Sequence, residues 1–447
     1  MAGHYDVVVV GAGSAGCVVA ARQATAGRSV LLLEAGPDDH GEPPAGVTGP
    51  SFHRALQEPG RHWPDLIARR TDLQDPRVYL RGRGLGGSSA VNAMLALRGV
   101  PADYDEWGAA FGAAGWSAAE AECWFAAVRL PLRPSAPAER GPLARALLAA
   151  GIGGQASLLT RDHAGHRVSA AAAYLPAARE AGLEVRGDAL VDRVLLDGRR
   201  AAGVRLAGGE EVQAGTVVVC AGAIHSPAVL LRSGVDRPGI GHGLQDHPSF
   251  PIAVRYRQPP EFGDGLAVAA YLRGQWREPD DLQVLPVDVA DPGDPSVGFV
   301  MAALMRVESR GTVRLRSTRP EDQPEVDFAL LSDERDMEGM HAAVALAERL
   351  LRSAALSRVA DVLPYDPTDD GIRRGVGDYV HASSTCRMGA AGDPGAVVDG
   401  DGRVHGHDGL WVCDASVLPR VPRANTHLPV MMVAERTSAR LSEQLAS

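Results

Sequence analysis

The residues best suited to chemistry lie in one stretch near the C-terminus, from His381 to His427. This stretch contains four histidines and two cysteines: His381, His405, His407, His427, Cys386 and Cys413. Imidazole and thiolate groups bind metals, histidine accepts protons near neutral pH, and a serine beside a histidine can be a nucleophile. The residue types therefore allow a metal site, a hydrolase triad, or the proton-transferring half of a cofactor-dependent enzyme.

Spacing argues against the first two chemistries. The chain has no Cys-x-x-Cys pair and no two histidines four residues apart, which are common zinc spacings. The serine-containing segments GGSSA and HSPAV lack the Gly-x-Ser-x-Gly elbow of α/β-hydrolases. We predict no metal site. We interpret Cys386 and Cys413 as small buried residues, and His405 and His407 as solvated rings in a strand-to-turn segment.

The opposite end of the chain carries a phosphate-binding pattern. Gly11, Gly13 and Gly16 form Gly-x-Gly-x-x-Gly directly after the apolar run YDVVVV. The first glycine permits a tight turn, the second lets a pyrophosphate approach the backbone, and the third lets helix and strand pack closely. Glu34 ends the next apolar run, where a carboxylate can accept the ribose hydroxyls and disfavours NADP. We predict a bound dinucleotide, either FAD or NAD.

The elements around these residues predict an α/β fold. YDVVVV, the helical spacing of CVVAARQATAG and the run SVLLLEAG make a βαβ unit that begins a parallel sheet. Short hairpin strands before TVVVCAGA predict a small antiparallel layer packed on that sheet, and residues 250–330 predict a second, mostly antiparallel sheet. Residues 333–353 predict a long amphipathic helix.

Three segments are predicted to be less regular. Residues 36–80 have the composition of an extended loop region, and residues 131–142 are Pro-rich and predict a linker or a shortened insertion. The segment RGRGLGGSSAVNAMLALRG begins as a glycine-rich turn and is then predicted to become helical.

Composition limits the functions that remain. The 447 residues suffice for two large domains, and the net charge of −10 disfavours a nucleic-acid partner, which would require a basic face. No apolar run reaches the length of about 20 residues that a spanning helix needs. The first strand begins too early to leave room for a signal peptide, and five scattered cysteines make no disulfide framework. We expect a cytoplasmic protein with no transmembrane segment.

Six motifs, in order, resemble the glucose–methanol–choline (GMC) oxidoreductases. GRGLGGSSAVN at 82–92 is similar to the family's first signature, and GAIHSPAVLLRSGV at 222–235 is similar to its second. GLQDHP, SRGTVRLRS, HASSTCRMG and GLWVCDASVLP follow in the family's order. The resemblance covers essentially the whole chain. It implies FAD, a Rossmann-type FAD-binding domain, a substrate domain whose antiparallel sheet covers the flavin, and oxidation of an alcohol.

The resemblance also implies how the two domains divide the sequence. The FAD-binding domain is expected to be discontinuous, comprising residues 1–98, 184–247 and 385–447. The α+β substrate-binding domain is expected to comprise residues 99–183 and 248–384.

Individual roles follow from the same resemblance. His381 matches the family's catalytic base, and Asn425 matches its second active-site position, expected to donate a hydrogen bond to the substrate oxygen. Asn92 matches the residue beside the flavin ring, Val191 the adenine contact, and Asp414 with Ala415 the pair near the pyrophosphate and ribityl chain. The predicted cofactor contacts are Gly11, Gly13, Ser14, Ala15, Gly16, Glu34, Ala35, Gly87, Ser88, Asn92, Ala93, Val191, Asp414, Ala415, Thr426 and His427.

The sequence departs from the family pattern at several points. Ser384 stands where H-x-x-G-T-C has glycine, SGVD replaces SGIG after the second signature, and His427 stands where asparagine is usual. The chain is also shorter than typical members. We interpret His427 as a contact to the flavin edge rather than a second base. No histidine lies where some members attach flavin covalently, so FAD is expected to bind non-covalently.

Three functions remain open from the sequence. The first is an alcohol dehydrogenase or oxidase that uses a small-molecule alcohol and passes electrons to oxygen, a quinone or a carrier. The second is a lyase of the hydroxynitrile type, in which FAD is structural. The third is a non-catalytic flavin-binding partner.

Overall fold

The computed structural model describes residues 4–258, 260, 266–291 and 293–446. The strands are β1 His4–Val10, β2 Val30–Leu33, β3 Ile67–Arg69, β4 Arg77–Val78, β5 Leu132–Pro134, β6 Gln155–Ala156, β7 Leu158–Thr160, β8 Glu184–Arg186, β9 Val191–Asp197, β10 Arg200–Leu206, β11 Glu211–Val219, β12 His242–Leu244, β13 Ser249–Tyr256, β14 Ala270–Gly274, β15 Leu282–Val287, β16 Val297–Leu304, β17 Gly311–Arg314, β18 Glu325–Asp327, β19 Ala360–Val362 and β20 Leu410–Val412. The helices are α1 Ser14–Thr25, α2 Ala45–Thr48, α3 Phe52–Gln57, α4 Pro101–Phe111, α5 Ala118–Ala127, α6 Pro142–Ala149, α7 Ala170–Glu180, α8 Gly222–Arg232, α9 Glu334–Leu351, α10 Ala354–Ser357, α11 Asp369–Gly375 and α12 His427–Ala446.

A seven-stranded sheet forms the centre of the first unit. Its order is β8-β2-β1-β11-β10-β9, and β20 also pairs with β11. Strands β8, β2, β1, β11 and β20 run parallel, and Val7 to Val10 of β1 are buried on both faces. Branched side chains in such a run suit a strand covered on both sides, because helices pack on each face of a parallel sheet. The predicted βαβ entry of the chain is confirmed.

The predicted antiparallel layer is wrong in its placement. β9 and β10 form a hairpin, but β10 pairs with the start of β11 through Gly203–Gln213 and Arg205–Glu211, so the hairpin extends the central sheet. The last three residues of β11 pair instead with β20. A single long strand therefore joins the hairpin and the parallel strands, and no separate layer is formed by the hairpin.

A second, antiparallel sheet is found where residues 250–330 predicted one. Its order is β19-β13-β16-β15-β14-β6, and helix α9 packs on β15 and β16. The Asp333 side chain accepts the Arg335 backbone N–H at the start of α9, and two acidic residues lie in its first turn, where they favour the positive end of the helix dipole. A third sheet of five strands has the order β12-β17-β18-β3-β4, and its Ala68, Val313 and Val326 share a hydrophobic core with the antiparallel sheet.

The three less regular segments contain more structure than predicted, or a different kind. Residues 36–80 contain α2, α3, β3 and β4 rather than an uninterrupted loop, and residues 131–142 contain β5 and the first residue of α6. The predicted helix after the glycine-rich turn is wrong, because Gly87–Ala90 forms only a short 3-10 turn. The long helix predicted at 333–353 is confirmed as α9.

Two large hydrophobic cores underlie the two units. One core joins the central sheet to α1 and α12 and includes Trp107, Trp116, Phe125 and Tyr174 from helices α4 to α7 and their connections. The other fills the space between the antiparallel sheet and α9. The predicted domain boundaries stay a prediction. Among the described helices, none is both long enough and apolar enough to cross a membrane.

Candidate active site

A cavity of about 430 Å³ lies between the central sheet and the antiparallel sheet. Every predicted cofactor and catalytic residue lines it except Gly16. It extends from the glycine turn after β1, at Gly11 and Gly13, to His381 and Asn425 under the antiparallel sheet. The two ends of the sequence that carried the chemical signals therefore meet in one space.

The glycine turn leaves open space at one position and close contact at another. A Cβ on Gly16 would lie 1.8 Å from the Gly11 carbonyl oxygen, so only glycine lets α1 pack there. A Cβ on Gly13 would meet nothing within 4 Å, because Gly13 faces the cavity. Gly11 has a φ of +98°, the left-handed conformation of a tight turn. Gly16 thus packs elements together, and Gly13 leaves room for a ligand.

Glu34 connects the turn to two other segments. Its carboxylate accepts backbone N–H groups of Ala12 at 2.8 Å, and of Gly36 and Gly84 at 2.9 Å. Burial raises the pKa of Glu34, and these three hydrogen bonds oppose the rise. Sequence reasoning expected a ribose contact only. The carboxylate lines the cavity and also holds the glycine-rich segments against each other.

The second glycine-rich segment packs directly on the first. The Gly86 N–H donates to the Ala12 carbonyl at 2.8 Å, and a Cβ on Gly87 would lie 2.9 Å from the Gly13 Cα. Just beyond, Asn92 accepts a hydrogen bond from Met94 N–H, and its side-chain and carbonyl oxygens both contact the Arg167 guanidinium. Burial lowers the pKa of Arg167 to about 10. Arg167 is a buried cation near the cavity that sequence reasoning did not identify.

The cavity wall beside the glycine turn comes from the C-terminal part of the chain. Asp414 accepts the Gly222 N–H at 2.9 Å and the Ser226 hydroxyl at 2.5 Å, which joins the segment after β20 to the start of α8. His427 begins α12, and its Nδ1 lies 2.9 Å from the Ser14 hydroxyl. Burial lowers the pKa of His427 to about 4. Its Nε2 is buried without a partner in the described part of the chain.

His381 and Asn425 form a pair at the far end of the cavity. Asn425 Nδ2 lies 3.2 Å from His381 Nε2, and Asn425 Oδ1 has no hydrogen-bond partner among the described residues. Only 7% of His381 is exposed, and burial lowers its pKa well below the ordinary value. Its ring is therefore neutral near pH 7 and can accept a proton.

Three residues around His381 were not identified as site residues from the sequence. Asp246 accepts the His381 backbone N–H at 2.9 Å, the His247 ring contacts the His381 ring, and Tyr379 lies edge-on to His381 with ring centres 5.0 Å apart. Burial raises the pKa of Asp246 to about 8. The signal that could have found Asp246 and His247 was the motif GLQDHP, which contains both. No sequence motif indicated a role for Tyr379.

The geometry around His381 is that of a hydrogen-bonded network. Ligand atoms of Asp246, His247 and His381 lie within 4.8 Å of one another. However, His247 Nδ1 and His381 Nδ1 are 2.9 Å apart, whereas two nitrogens on one zinc ion would be roughly 3.3 Å apart. The Asp246 carboxylate is occupied by N–H groups of His247, Tyr379 and His381. Asp246, His247 and His381 therefore each have hydrogen-bond partners within the protein.

The remaining histidines of the C-terminal stretch lie apart from this network. His405 Nε2 contacts the Gly389 carbonyl at 3.1 Å, and His407 Nδ1 contacts the His405 carbonyl at 3.3 Å. Both residues have intermediate exposure, so their rings are partly in contact with solvent. Cys386 and Cys413 are fully buried and unpaired, as predicted.

An aromatic stack closes another part of the cavity wall. The Trp63 and His225 rings are stacked with centroids 4.0 Å apart, and His225 Nε2 lies 3.0 Å from Gln323 Oε1. Burial lowers the pKa of His225 to about 4. His225 belongs to the second GMC-like motif, whereas Trp63 lies in the segment predicted to be a loop and gave no signal.

A glycine-rich turn after the first strand and a buried histidine line one cavity, an arrangement typical of dinucleotide-dependent oxidoreductases. The sequence patterns described as GMC oxidoreductase match residues 5–249 and 307–434. The chain belongs to the GMC oxidoreductase family, as its motifs predicted. The predicted fold class, a Rossmann-type FAD domain with an α+β substrate domain, is confirmed by the solved structures it resembles.

Relatives in this family align along nearly the whole chain. The protein is 32% identical to 5-(hydroxymethyl)furfural oxidase of Methylovorus sp., covering 97% of each chain. It is 31% identical to oxygen-dependent choline dehydrogenase of Pseudomonas fluorescens, covering 99% of this chain and 94% of that one. Pyridoxine 4-oxidase from Mesorbium loti has a TM-score of 0.89 and 29% identity, covering 98% of this chain and 99% of that one.

The residues of the cavity fit FAD. The open face of Gly13 and the N-terminus of α1 suit the pyrophosphate, and the buried, unpartnered His427 Nε2 and Asn425 Oδ1 are polar groups available to a bound molecule. The predictions of FAD as cofactor and of an FAD-dependent enzyme of the alcohol dehydrogenase and oxidase class are confirmed by the family. Non-covalent binding stays a prediction.

Proposed function

We propose that the protein oxidises the CH–OH group of a small-molecule alcohol to an aldehyde or ketone, with His381 as the general base. One observation carries the proposal: His381 Nε2 and Asn425 Nδ2 lie 3.2 Å apart in the wall of the cavity that fits FAD. The named relatives support it, because hydroxymethylfurfural, choline and pyridoxine each carry an alcohol group.

A substrate hydroxyl that replaces the direct contact between Asn425 and His381 can reach both nitrogens. It donates its proton to His381 Nε2 and accepts a hydrogen bond from Asn425 Nδ2. Because burial keeps His381 neutral, the proton-accepting form is present at neutral pH. As the proton leaves, negative charge grows on the oxygen, and the Asn425 N–H stabilises it without competing for the proton.

FAD held in this cavity would supply the two-electron oxidation, as acceptor of the hydride that the carbinol carbon loses. The chain contributes the position of that carbon. His381 and Asn425 fix the oxygen, and the wall formed by apolar residues of the antiparallel sheet, Leu285, Val287 and Met301, surrounds the rest of the substrate. This wall also limits access of water to the reacting atoms.

Anaerobic flavin reduction tests the proposal. Purified holoenzyme is mixed with aliphatic, aryl and sugar alcohols without oxygen, and the visible flavin spectrum is followed. We expect bleaching by at least one class, and in His381→Ala a rate about 10²- to 10⁴-fold lower. His405→Ala, a histidine outside the cavity, should reduce at the normal rate. Equal rates in His381→Ala and the parent enzyme would contradict the assigned base.

The same preparation separates the remaining alternatives. Return of colour in air within the turnover time would make oxygen the electron acceptor, and slow return would favour a quinone or a carrier. If dithionite but no alcohol bleaches the flavin, and a cyanohydrin is cleaved without a spectral change, the protein is a lyase and alcohol oxidation is excluded. Absence of both reactions would favour a non-catalytic flavoprotein.

A further inference from the structure

We propose that His247, from behind the cavity wall, determines which nitrogen of His381 carries the lone pair. The inference rests on the proposed role of His381 as base, because that role needs a bare Nε2 facing the substrate. His247 is fully buried and does not line the cavity, so it acts through His381 and is a positioning residue.

The Pro422 carbonyl, which contacts His247, has only one possible role in a hydrogen bond. His247 Nε2 lies 3.1 Å from the Pro422 carbonyl oxygen. A carbonyl oxygen can only accept, so His247 Nε2 must carry a hydrogen and donate it. The side-chain amide of Asn or Gln can exchange its oxygen and nitrogen by rotation, but a backbone carbonyl cannot, so this assignment is fixed. Pro422 therefore fixes one end of the hydrogen-bond chain.

The next link follows from the charge of His247. A neutral imidazole has one N–H, so with Nε2 protonated its Nδ1 is bare and accepts. Neutrality is favoured because the ring is fully buried and the carboxyl oxygens of the neighbouring Asp246 accept backbone N–H groups rather than an imidazole N–H. His247 Nδ1 lies 2.9 Å from His381 Nδ1. His381 must then donate from Nδ1.

The last link leaves His381 Nε2 without a hydrogen. Asn425 Nδ2, which can only donate, lies 3.2 Å from that nitrogen, so the chain is consistent when followed from its other end. Donation thus runs from Asn425 to His381, to His247 and to Pro422. Pro422 and Asn425 are three residues apart, so one short segment supplies both ends. The Tyr379 ring lies edge-on to both imidazoles and holds their planes.

This arrangement has a chemical consequence. In free histidine the neutral ring prefers to carry its hydrogen on Nε2, the nitrogen that the proposed reaction needs bare. A hydrogen bond from Nδ1 to a fixed acceptor reverses that preference, as acceptors behind catalytic histidines do in other enzymes. Without His247, only the Asn425 N–H would favour a bare Nε2, and His381 would more often hold its hydrogen on that nitrogen.

Nitrogen NMR of the resting holoenzyme, with ring-¹⁵N-labelled histidine, tests the assignment directly. We expect His381 to show a protonated Nδ1 and a bare Nε2, and His247 the reverse. Signals are assigned by their loss in His381→Ala and in His247→Phe. A protonated His381 Nε2, or a bare His247 Nε2, in the resting enzyme would overturn the inference. This experiment uses the unaltered protein and does not depend on any variant's activity.

Kinetics supply a second test. His247→Phe keeps a ring of similar shape but cannot accept a hydrogen bond, so we expect flavin reduction about 10- to 100-fold slower with KM and FAD content nearly unchanged. His247→Asn retains an oxygen acceptor near the position of Nδ1 and should recover part of the rate. His242→Asn, an exposed histidine of β12, is the matched control and should leave the rate unchanged. Equal rates in His247→Phe and the parent enzyme would contradict the proposal.

The two hypotheses fail differently. If the nitrogen assignments are as expected but His381→Ala is still bleached normally by alcohols, the proposed function fails and the hydrogen-bond chain stands. If His381→Ala abolishes bleaching but His381 Nε2 carries the hydrogen at rest, the base assignment stands and the role of His247 fails.

Discussion

At the scale of single residues, the sequence predicted the groups that face a ligand and missed those behind them. Gly13, Glu34, His381 and Asn425 carried motif signals, because each has a type and spacing that a bound molecule demands. His247 lay in a motif that was recognised, but a buried histidine has no assignable task until its neighbours are known. The role of Asn425 and the other site residues stays a prediction until tested.

Ser384, one of the departures from the family pattern, has a backbone conformation that favours glycine. It has a φ of +74°, the left-handed region in which glycine is favoured, and it stands where the family has glycine. Val380, on the other side of His381, has a φ of +57°, which is unusual for a branched side chain. The segment that presents His381 is therefore bordered by two strained residues.

We expect Ser384→Gly to stabilise the protein by about 0.5–1 kcal/mol. Relief of the left-handed conformation, about 1–2 kcal/mol, exceeds the extra entropy that glycine loses on folding, about 0.5–1 kcal/mol. Among the described residues, the Ser384 hydroxyl that is lost contacts only the Ser383 hydroxyl, at 3.2 Å, which is long for such a hydrogen bond. Urea unfolding of the parent and variant measures the difference. Ser383→Gly is the control, because Ser383 is buried without a positive φ, and it should be destabilising. A less stable Ser384→Gly would mean that the conformation is not strained.

At the scale of elements, predictions from local pattern succeeded where elements were long. β1, α1 and α9 have enough residues for their periodicity to be read from the chain. β3 and β4 have three and two residues, too few for any pattern, and so residues 36–80 were predicted to be a loop. The position of the β9–β10 hairpin was wrong because strand pairing with β11 is a long-range contact that local pattern does not encode.

Substitutions at the second and third glycines of the Gly-x-Gly-x-x-Gly pattern, Gly13 and Gly16, should have different effects. Gly16→Ala places a Cβ 1.8 Å from the Gly11 carbonyl oxygen, so α1 cannot pack and we expect little folded protein. Gly13→Ala meets no protein atom within 4 Å, so we expect a normal fold. Its methyl group would nevertheless occupy the face that a pyrophosphate must approach, and FAD should be lost.

Circular dichroism and the ratio of flavin to protein absorbance measure the two effects separately. The informative result is a folded, colourless Gly13→Ala protein. If Gly13→Ala retains full flavin content, the pyrophosphate does not lie against this turn. If Gly16→Ala folds and binds FAD normally, α1 can shift away from β1.

At the scale of the whole molecule, the cavity depends on contacts between distant parts of the chain. His225 of α8 stacks on Trp63 and contacts Gln323, so three separate segments meet at one partly buried imidazole. Burial holds the pKa of His225 at about 4, whereas the unfolded chain has the ordinary value of about 6.5. Between pH 4 and pH 6.5, His225 is therefore protonated mainly in the unfolded chain.

Stability should therefore fall with acid through His225. As pH drops from 6.5 towards 4, the protonated unfolded state gains about 1.4 kcal/mol per pH unit, up to roughly 3 kcal/mol. Above pH 6.5 this contribution is constant. His225→Gln removes the titrating group, so the parent protein's advantage over the variant should shrink in that window and stay level from pH 7 to 9. Chemical unfolding of both proteins in saturating FAD measures it; a difference that is level from pH 4 to 9 would contradict the buried, neutral state.

The wall of the cavity is built from segments that are almost a whole chain length apart, and this has a consequence for biosynthesis. The ribosome releases the glycine turn early and the Asp414–His427 segment very late, yet both border the cofactor. A nascent chain thus exposes half a binding site and a sheet that lacks β20, its last strand. We therefore expect FAD capture to await synthesis of the Asp414–His427 segment, and a stop codon before α12 to remove the vitamin-derived cofactor along with the helix.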